Sequence, residues 1–327
     1  MGLKDEIRPV GPSFTQTLAL VMQLEPGQMI PPTIVQGLSE LLPTQIIDMY
    51  PVWESLTAEV KRDLMTALIE ASETDFATDF ALLGIMALDD SDADVRCLAI
   101  DLCVHVTSQR HAEILLEMAQ NDEAETVRAG AIRALGAFVL EGEFGKLDAA
   151  LNDSVVDYLL RVAASNESGP LVRSRAIESL GYSSHPRVAK QISRAYESGE
   201  PMLKTASIFA MGVSSDARWR DHVIHELERG TTEDRYEAAR AAGELELAEA
   251  VRPLSEIALA EERQLAGAAI WSLGEIGGKE AVRVLEALAE RAGADEDDDL
   301  LDMIEDALDS ANAAAGLIPG FETSDDE

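Results

Sequence analysis

The chain has 327 residues, 46% of them hydrophobic, which is enough to bury a sizeable core. Its 61 acidic and 26 basic residues give a net charge of −35, which opposes binding to nucleic-acid phosphates. No apolar run approaches the roughly 18 residues of a membrane span, and acids follow Met1 where a signal peptide is basic. We therefore expect a cytoplasmic protein with no nucleic-acid or membrane partner. The acidity fits either a high-salt cytoplasm or an ordinary surface that resists aggregation, and both explanations stay open.

Residues 1–55 are interrupted by prolines, which permit only short helices. These prolines are Pro9, Pro12, Pro26, Pro31, Pro32, Pro43 and Pro51. The apolar residues between them predict an N-terminal helical cap with a polar outer side, packed on the helices that begin after residue 55.

Paired helices are predicted from residue 56 to residue 292. Thr57 is a favourable N-cap for the first helix, on which Val60, Leu64 and Leu68 recur along one face. Pro170, Pro186 and Pro201 occupy predicted helix starts, where proline is well tolerated.

A motif recurs near the end of every second helix, and Val127-Arg128-x-x-Ala131-Ile132-x-x-Leu135-Gly136 is one copy. The motif glycines are Gly136, Gly181, Gly212, Gly243 and Gly274, and the last four are 31 residues apart. A fixed period of this length predicts stacked repeats. Glycine at a helix end predicts a left-handed C-cap at Gly181 and Gly212. The longer interval before Gly181 predicts a lengthened loop with a short helix at Glu141–Asn152.

The C-terminal part is strongly acidic. Residues 293–315 predict an acidic linker, Asp295–Asp299, followed by a capping helix from Leu300. Residues 316–327 predict a disordered acidic tail.

The motif, preceded by an acidic turn such as Asp92-Ala93-Asp94, resembles HEAT repeats. Its short period is similar to the HEAT-like class first described in phycobilisome lyases. The resemblance implies an all-α fold, a right-handed superhelical solenoid of helix pairs in which one helix of each pair lines a concave face. It also implies that the motif base pairs with turn acids and holds adjacent repeats together. The bases with this structural role would be Arg96, Arg128, Arg173 and Arg235.

The middle of the chain departs from the overall acidity, since Arg161 to Arg229 contains ten bases and eight acids. Arg187, Lys190 and Arg194 are spaced three and four residues apart, so they share one helix face. Arginine and tryptophan are enriched at interface hot spots. We interpret six residues as a concave site for an acidic segment of a protein partner: Arg187, Lys190, Arg194, Arg218, Trp219 and Arg220. The alternative is that these bases only neutralise the chain's own acids.

The strongest metal-like pattern is His222-x-x-His225-Glu226, because residues three apart share a helix face. HEAT-like deoxyhypusine hydroxylases bind two irons through several His-Glu pairs, and this chain has one such pair. We therefore predict no metal, cofactor or catalytic residue. HEAT proteins mostly bind other proteins, so the resemblance implies a non-catalytic interaction scaffold. An enzyme or enzyme subunit of the bilin-lyase or metal-dependent hydroxylase kind is the alternative. An assembly subunit is a third interpretation, and the sequence leaves the oligomeric state open.

Overall fold

The computed structural model describes residues 13–75, 77–260, 262–294 and 297–314. Over these ranges the chain is helical, with eighteen α-helices, two short 3-10 helices and no strand. None of the helices in these ranges combines the length and the apolar character that crossing a bilayer requires. The chain divides into two compact units, the first ending at Phe138 and the second beginning at Val139. The predicted all-α helix-pair architecture is confirmed, whereas its right-handed twist stays a prediction.

The described part of the first unit contains seven complete helices and most of an eighth. Their bounds are α1 Phe14–Val21, α2 Pro32–Leu38, α3 Pro43–Ser55, α4 Ala58–Thr74, α5 Ala81–Ala87, α6 Ala93–Leu102, α7 Gln109–Asn121 and α8 Glu125–Glu143. Side-chain oxygens of Ser13, Thr57, Asp92 and Ser108 accept backbone hydrogen bonds at the starts of α1, α4, α6 and α7. The helices stack in two rows, one through α1, α3 and α5 and the other through α2, α4 and α6. Both rows therefore extend into the segment predicted as a cap.

Five helix pairs follow in the described residues of the second unit. Their bounds are α9 Ala149–Ala164, α10 Pro170–Leu180, α11 Val188–Tyr196, α12 Pro201–Val213, α13 Arg220–Arg229, α14 Thr232–Glu244, α15 Val251–Ile257, α16 Arg263–Ile276, α17 Gly278–Ala294 and α18 Asp298–Ala314. Short 3-10 turns, Ala217–Trp219 and Ala248–Ala250, precede α13 and α15. Each odd-numbered helix packs on the even-numbered helix that comes after it.

The two helices of each pair belong to different layers of the second unit. Helices α10, α12, α14, α16 and α18 pack closely on one another, whereas α9, α11, α13, α15 and α17 touch their successors only lightly. The more closely spaced layer of a curved stack lies on the inside of the curve. We call the even-numbered helices the inner layer and the odd-numbered helices the outer layer. The motif helices thus form the inner layer.

The motif glycines allow this close spacing, and the prediction that two of them are left-handed C-caps is wrong. Gly181 has a right-handed helical conformation with φ −53°, and Gly212 lies inside α12. A Cβ on Gly181 would lie 2.8 Å from the Cα of Ala210, and one on Gly212 would lie 2.7 Å from the Cα of Ala241. Gly243 and Gly274 likewise face backbone of the next inner helix, and Gly136 lies within α8. Glycine is required here because two helix backbones meet.

Several predicted boundaries shift. The predicted loop at Glu141–Asn152 is wrong, because α8 continues to Glu143 and α9 begins at Ala149. A turn of residues 144–148 joins them, with Gly145 at φ 69°. Pro186 precedes α11 instead of starting it, whereas Pro170 and Pro201 do occupy first-turn positions. Helix α18 starts two residues before Leu300, and the predicted tail at residues 316–327 lies outside the described residues.

Candidate partner-binding surface

The motif base connects adjacent repeats most clearly at Arg96. Its Nε and Nη2 each donate to the Asp122 carboxylate at 2.8 Å, and its Nη1 donates to the carbonyl of Asp90 at 2.8 Å. Both side chains of the ion pair are about nine-tenths buried. Burial alone would raise the pKa of Asp122, but the hydrogen bonds from Arg96 and from the Ala124 backbone outweigh burial and hold it below its ordinary value. This pair fastens α6 to the turn before α8.

The other three predicted structural arginines differ from Arg96. Arg128 donates from Nη1 to the carbonyl of Asp122 at 2.7 Å, and Arg235 donates from Nε to the carbonyl of Leu227 at 3.2 Å. The Nε of Arg173 is buried without a hydrogen-bond partner in the described part of the chain. Lysine occupies the same motif position in two other repeats and does form an ion pair with an acid there. Lys61 is one of them, and its ion pair with Asp90 measures 2.6 Å.

Lys204, also at the motif base position, organises a buried ionic cluster across four helices of the second unit. Its Nζ donates to Glu226 on α13 at 2.8 Å and to Asp234 on α14 at 3.0 Å, and both carboxylates are almost fully buried. Tyr196 on α11 donates its hydroxyl to the other oxygen of Glu226. Burial and the hydrogen bond to Glu226 raise the pKa of Tyr196 to about 12. The cluster joins outer and inner helices of two repeats.

This cluster also accounts for the metal-like sequence pattern. Both oxygens of Glu226 are engaged, by Tyr196 and by Lys204. The ring of His222 stands edge-on to the rings of Tyr196 and Trp219, and His225 is exposed. Among the described residues, no group of three or more His, Cys, Asp or Glu side chains is arranged to hold a metal ion.

The six residues predicted as a concave site do not lie on the inner layer, and one of them is buried. Helices α11 and α13 belong to the outer layer, so Arg187, Lys190 and Arg194 lie away from the inner side of the curve. Trp219 is only 3% exposed, because its ring packs in the core beside His222. The prediction that the indole lies on a binding surface is therefore wrong.

Three of the five predicted bases are paired with acids of the same chain. Arg187 pairs with Asp157, Arg218 with Asp216, and Arg220 with Glu249 at 3.4 Å. These pairs are solvent-exposed, as the self-neutralisation interpretation expects. Lys190 and Arg194 are exposed on α11 and make no ion pair with any described residue.

A different set of residues lies along the inner layer. Each is three residues before its motif glycine, and each is at least partly exposed: Glu178 on α10, Phe209 on α12, Arg240 on α14 and Trp271 on α16. We call these four residues the inner row. The Arg240 guanidinium lies 5.9 Å from the centre of the Phe209 ring, and Tyr182 meets that ring edge-on at 6.2 Å. Trp271 is 39% exposed. The 31-residue period already makes these positions equivalent, and sequence reasoning overlooked them.

A groove of about 640 Å³ lies beside the start of the inner row, between the first turns of α10, α12 and α14. Leu171 and the half-exposed Met202 give it apolar walls, and Arg175, paired with Glu178 at 2.7 Å, lies at its edge. Glu237 lies one turn before Arg240 on α14, and burial raises its pKa. The inner side thus offers apolar and aromatic surface with charges of both signs.

Family models match two parts of this chain: HEAT repeats over residues 81–167 and a PBS lyase HEAT-like repeat over residues 265–291. A comparison with curated protein sequences gives no match. Among solved structures, YibA from Escherichia coli is 15% identical over 93% of this chain and 98% of its own, with a TM-score of 0.43. Human deoxyhypusine hydroxylase in complex with glycerol is 15% identical over 92% of this chain and 97% of its own, with a TM-score of 0.36. Neither likeness bears on activity. These two parts of the chain are therefore HEAT-like repeats, and the helix pairs between them follow the same pattern.

Proposed function

We propose that this chain is a non-catalytic scaffold of the cytoplasm that binds a protein partner on the inner layer of its second unit. The observation that carries the proposal is the inner row, in which Phe209, Arg240 and Trp271 occupy one register on successive helices. Aromatic residues and arginine dominate the energetics of protein interfaces, and solenoids use their concave side for extended binding surfaces. A partner segment crossing α12, α14 and α16 would contact these three side chains in turn.

The chemistry of the inner row favours a protein segment over a small molecule. Its aromatic rings are spread over several helices, and the residues between and beside them carry charges of both signs, namely Glu178, Arg240 and Arg175. Such a surface suits a segment that alternates apolar and charged side chains. The competing location is the outer face of α11, where Lys190 and Arg194 would take an acidic segment.

The two locations are distinguished by capture from native lysate with two matched variants. One variant replaces Arg240 by Glu and Trp271 by Ala on the inner row. The other reverses the charge of Arg187, Lys190 and Arg194. We expect a specific partner, identified by mass spectrometry, to be lost with the first variant and retained with the second. The opposite pattern moves the site to the outer layer, and no specific partner in either low or high salt contradicts the scaffold proposal.

The enzyme alternative is tested on the same purified protein. Bound iron in metal analysis, or a visible chromophore in its absorbance spectrum, would favour a function of the metal-dependent hydroxylase or bilin-lyase kind. The scaffold proposal expects neither signal above the level of a control protein purified in the same way.

A further inference from the structure

An apolar surface lies at the start of the described chain, on α1, on α3 and on the turns that flank them. Ile47 is 72% exposed and Tyr50 is 53% exposed, and their spacing of three places both on one face of α3. Leu42 just before α3 and Met22 at the end of α1 are also more than half exposed, and α1 packs on α3. We call Met22, Leu42, Ile47 and Tyr50 the N-terminal apolar surface. The polar outer side predicted for this segment is therefore interrupted by exposed apolar residues.

This surface is also unusually poor in charge. Residues 13–53 contain three acids, Glu25, Glu40 and Asp48, and no base, although 27% of the whole chain is charged. Depletion of charge together with enrichment of methionine and tyrosine is the composition of an interface core. Exposed apolar groups that cluster in this way mark interaction sites on soluble proteins.

The last helix of the described residues shows what a solvent-facing terminal helix looks like in this protein. Helix α18 buries Ile304, Ala307 and Ala311 and exposes Asp302, Glu305, Asp306 and Asp309. Terminal repeats of a solenoid need such a polar outer face to stay soluble. The N-terminal helices instead expose Ile47 and Tyr50 beside their polar residues, and covering these apolar side chains would be favourable.

We propose that a second copy of this chain covers the N-terminal apolar surface, forming a twofold symmetric dimer. Two chains of charge −35 repel each other over most of their surfaces, and this is a region where a copy brings almost no charge. A symmetric dimer packs the same surface from both chains against itself, which matches Ile47 and Tyr50 with apolar groups. Contact with the acidic face of α18 would instead place carboxylates on an apolar surface without bases, which disfavours a head-to-tail contact between α18 and this surface.

Sedimentation velocity tests the dimer on the full chain, from low micromolar to near-millimolar concentration, in low salt and in molar salt. We expect a monomer–dimer equilibrium that strengthens with salt, because salt screens the repulsion between the acidic chains. Ile47→Glu with Tyr50→Glu should weaken the dimer by about 30-fold or more, since it removes two central contacts. Val104→Glu is the matched control, because Val104 is 62% exposed in the same unit but lies on another helix end. Circular dichroism checks that each variant is folded.

A second variant tests the dimer without weakening it. Ile47→Cys should form a disulfide-linked dimer under mild oxidation, whereas Val104→Cys should not. A monomer at every concentration and salt would overturn the proposal and leave the surface for a different protein. A dimer that persists in the folded Glu variant, or growth beyond a dimer, would also overturn it.

Discussion

Replacing Gly212 by alanine tests whether the inner-layer glycines set the spacing of the repeats. The new Cβ would lie 2.7 Å from the Cα and 2.8 Å from the Cβ of Ala241, whereas carbon atoms in contact are about 3.5–4.0 Å apart. Helices α12 and α14 would have to separate by about 1 Å. Such overpacking lowers the free energy of unfolding by about 1–3 kcal/mol. We expect a value near the upper end, because the new Cβ meets backbone that cannot move aside as a flexible side chain can. Alanine in a helix interior recovers about 1 kcal/mol over glycine, so we expect a net loss of about 2 kcal/mol.

Gly130 provides the matched control, because it also lies inside a helix but faces more room. A Cβ there would meet only the Cδ1 of Ile100, at an ordinary contact distance of 3.6 Å. Gly130→Ala should therefore raise the free energy of unfolding by up to about 1 kcal/mol through helix propensity alone. The same chemical change is thus expected to have opposite signs at Gly130 and Gly212.

Urea unfolding followed by circular dichroism measures both variants. A lower midpoint for Gly212→Ala and a higher midpoint for Gly130→Ala, with unchanged slopes, would support the reasoning. If Gly212→Ala raised the midpoint as Gly130→Ala does, close backbone approach would not be what requires glycine at this position. Gly181→Ala should repeat the loss, since its Cβ would lie 2.8 Å from the Cα of Ala210.

Three further predictions concern buried polar groups. Arg96→Met should lower the free energy of unfolding by about 3 kcal/mol in urea titrations because it strands the Asp122 carboxylate, and Asp122→Asn in the same chain should restore part of the loss. Between pH 10 and pH 12, ultraviolet absorbance should detect more phenolate in Glu226→Gln than in the wild type, because burial and Glu226 raise the pKa of Tyr196. Burial lowers the pKa of His111 below 6.5, so as the pH falls the unfolded chain binds a proton at this residue before the folded chain does. The free energy of unfolding should therefore decrease below pH 6.5, and less steeply in His111→Leu than in the wild type. Equal slopes in the two proteins would contradict this.

The helix pairs were predictable because their signals are local. N-caps such as Thr57 and Asp92 and first-turn prolines such as Pro201 act within one turn of helix, and apolar spacing marks the buried face. The sequence predicts that glycine is needed at the motif positions, but the predicted reason, a left-handed C-cap, is wrong. A left-handed cap and a close helix contact both require glycine near the end of a helix, and only the conformation of Gly181 and its distance to Ala210 separate the two causes.

The binding surface was harder to predict because exposure depends on which layer a helix joins. The concentration of bases and aromatic residues between Arg161 and Arg229 predicts that Trp219 lies on the surface, although packing against His222 buries it. The inner row instead follows from the period, since stepping back three residues from each glycine reaches Phe209, Arg240 and Trp271. The sequence does not indicate that the motif helices form the closely packed layer, which is what places these three residues on the inner side.

The acidity of the chain acquires a physical role once these surfaces are located. Several motif bases, namely Arg96, Lys61 and Lys204, form ion pairs with acids of the same chain. These bases therefore do not neutralise the remaining acids, which face solvent and repel other acidic proteins. Repulsion over most of the surface restricts close approach to the regions with little net charge, which is how unfavourable contacts create specificity. The N-terminal apolar surface and the inner row are two such regions. Association through the first should strengthen as salt rises, because salt screens the repulsion between two acidic chains, whereas the salt dependence of capture on the second follows the net charge of the partner.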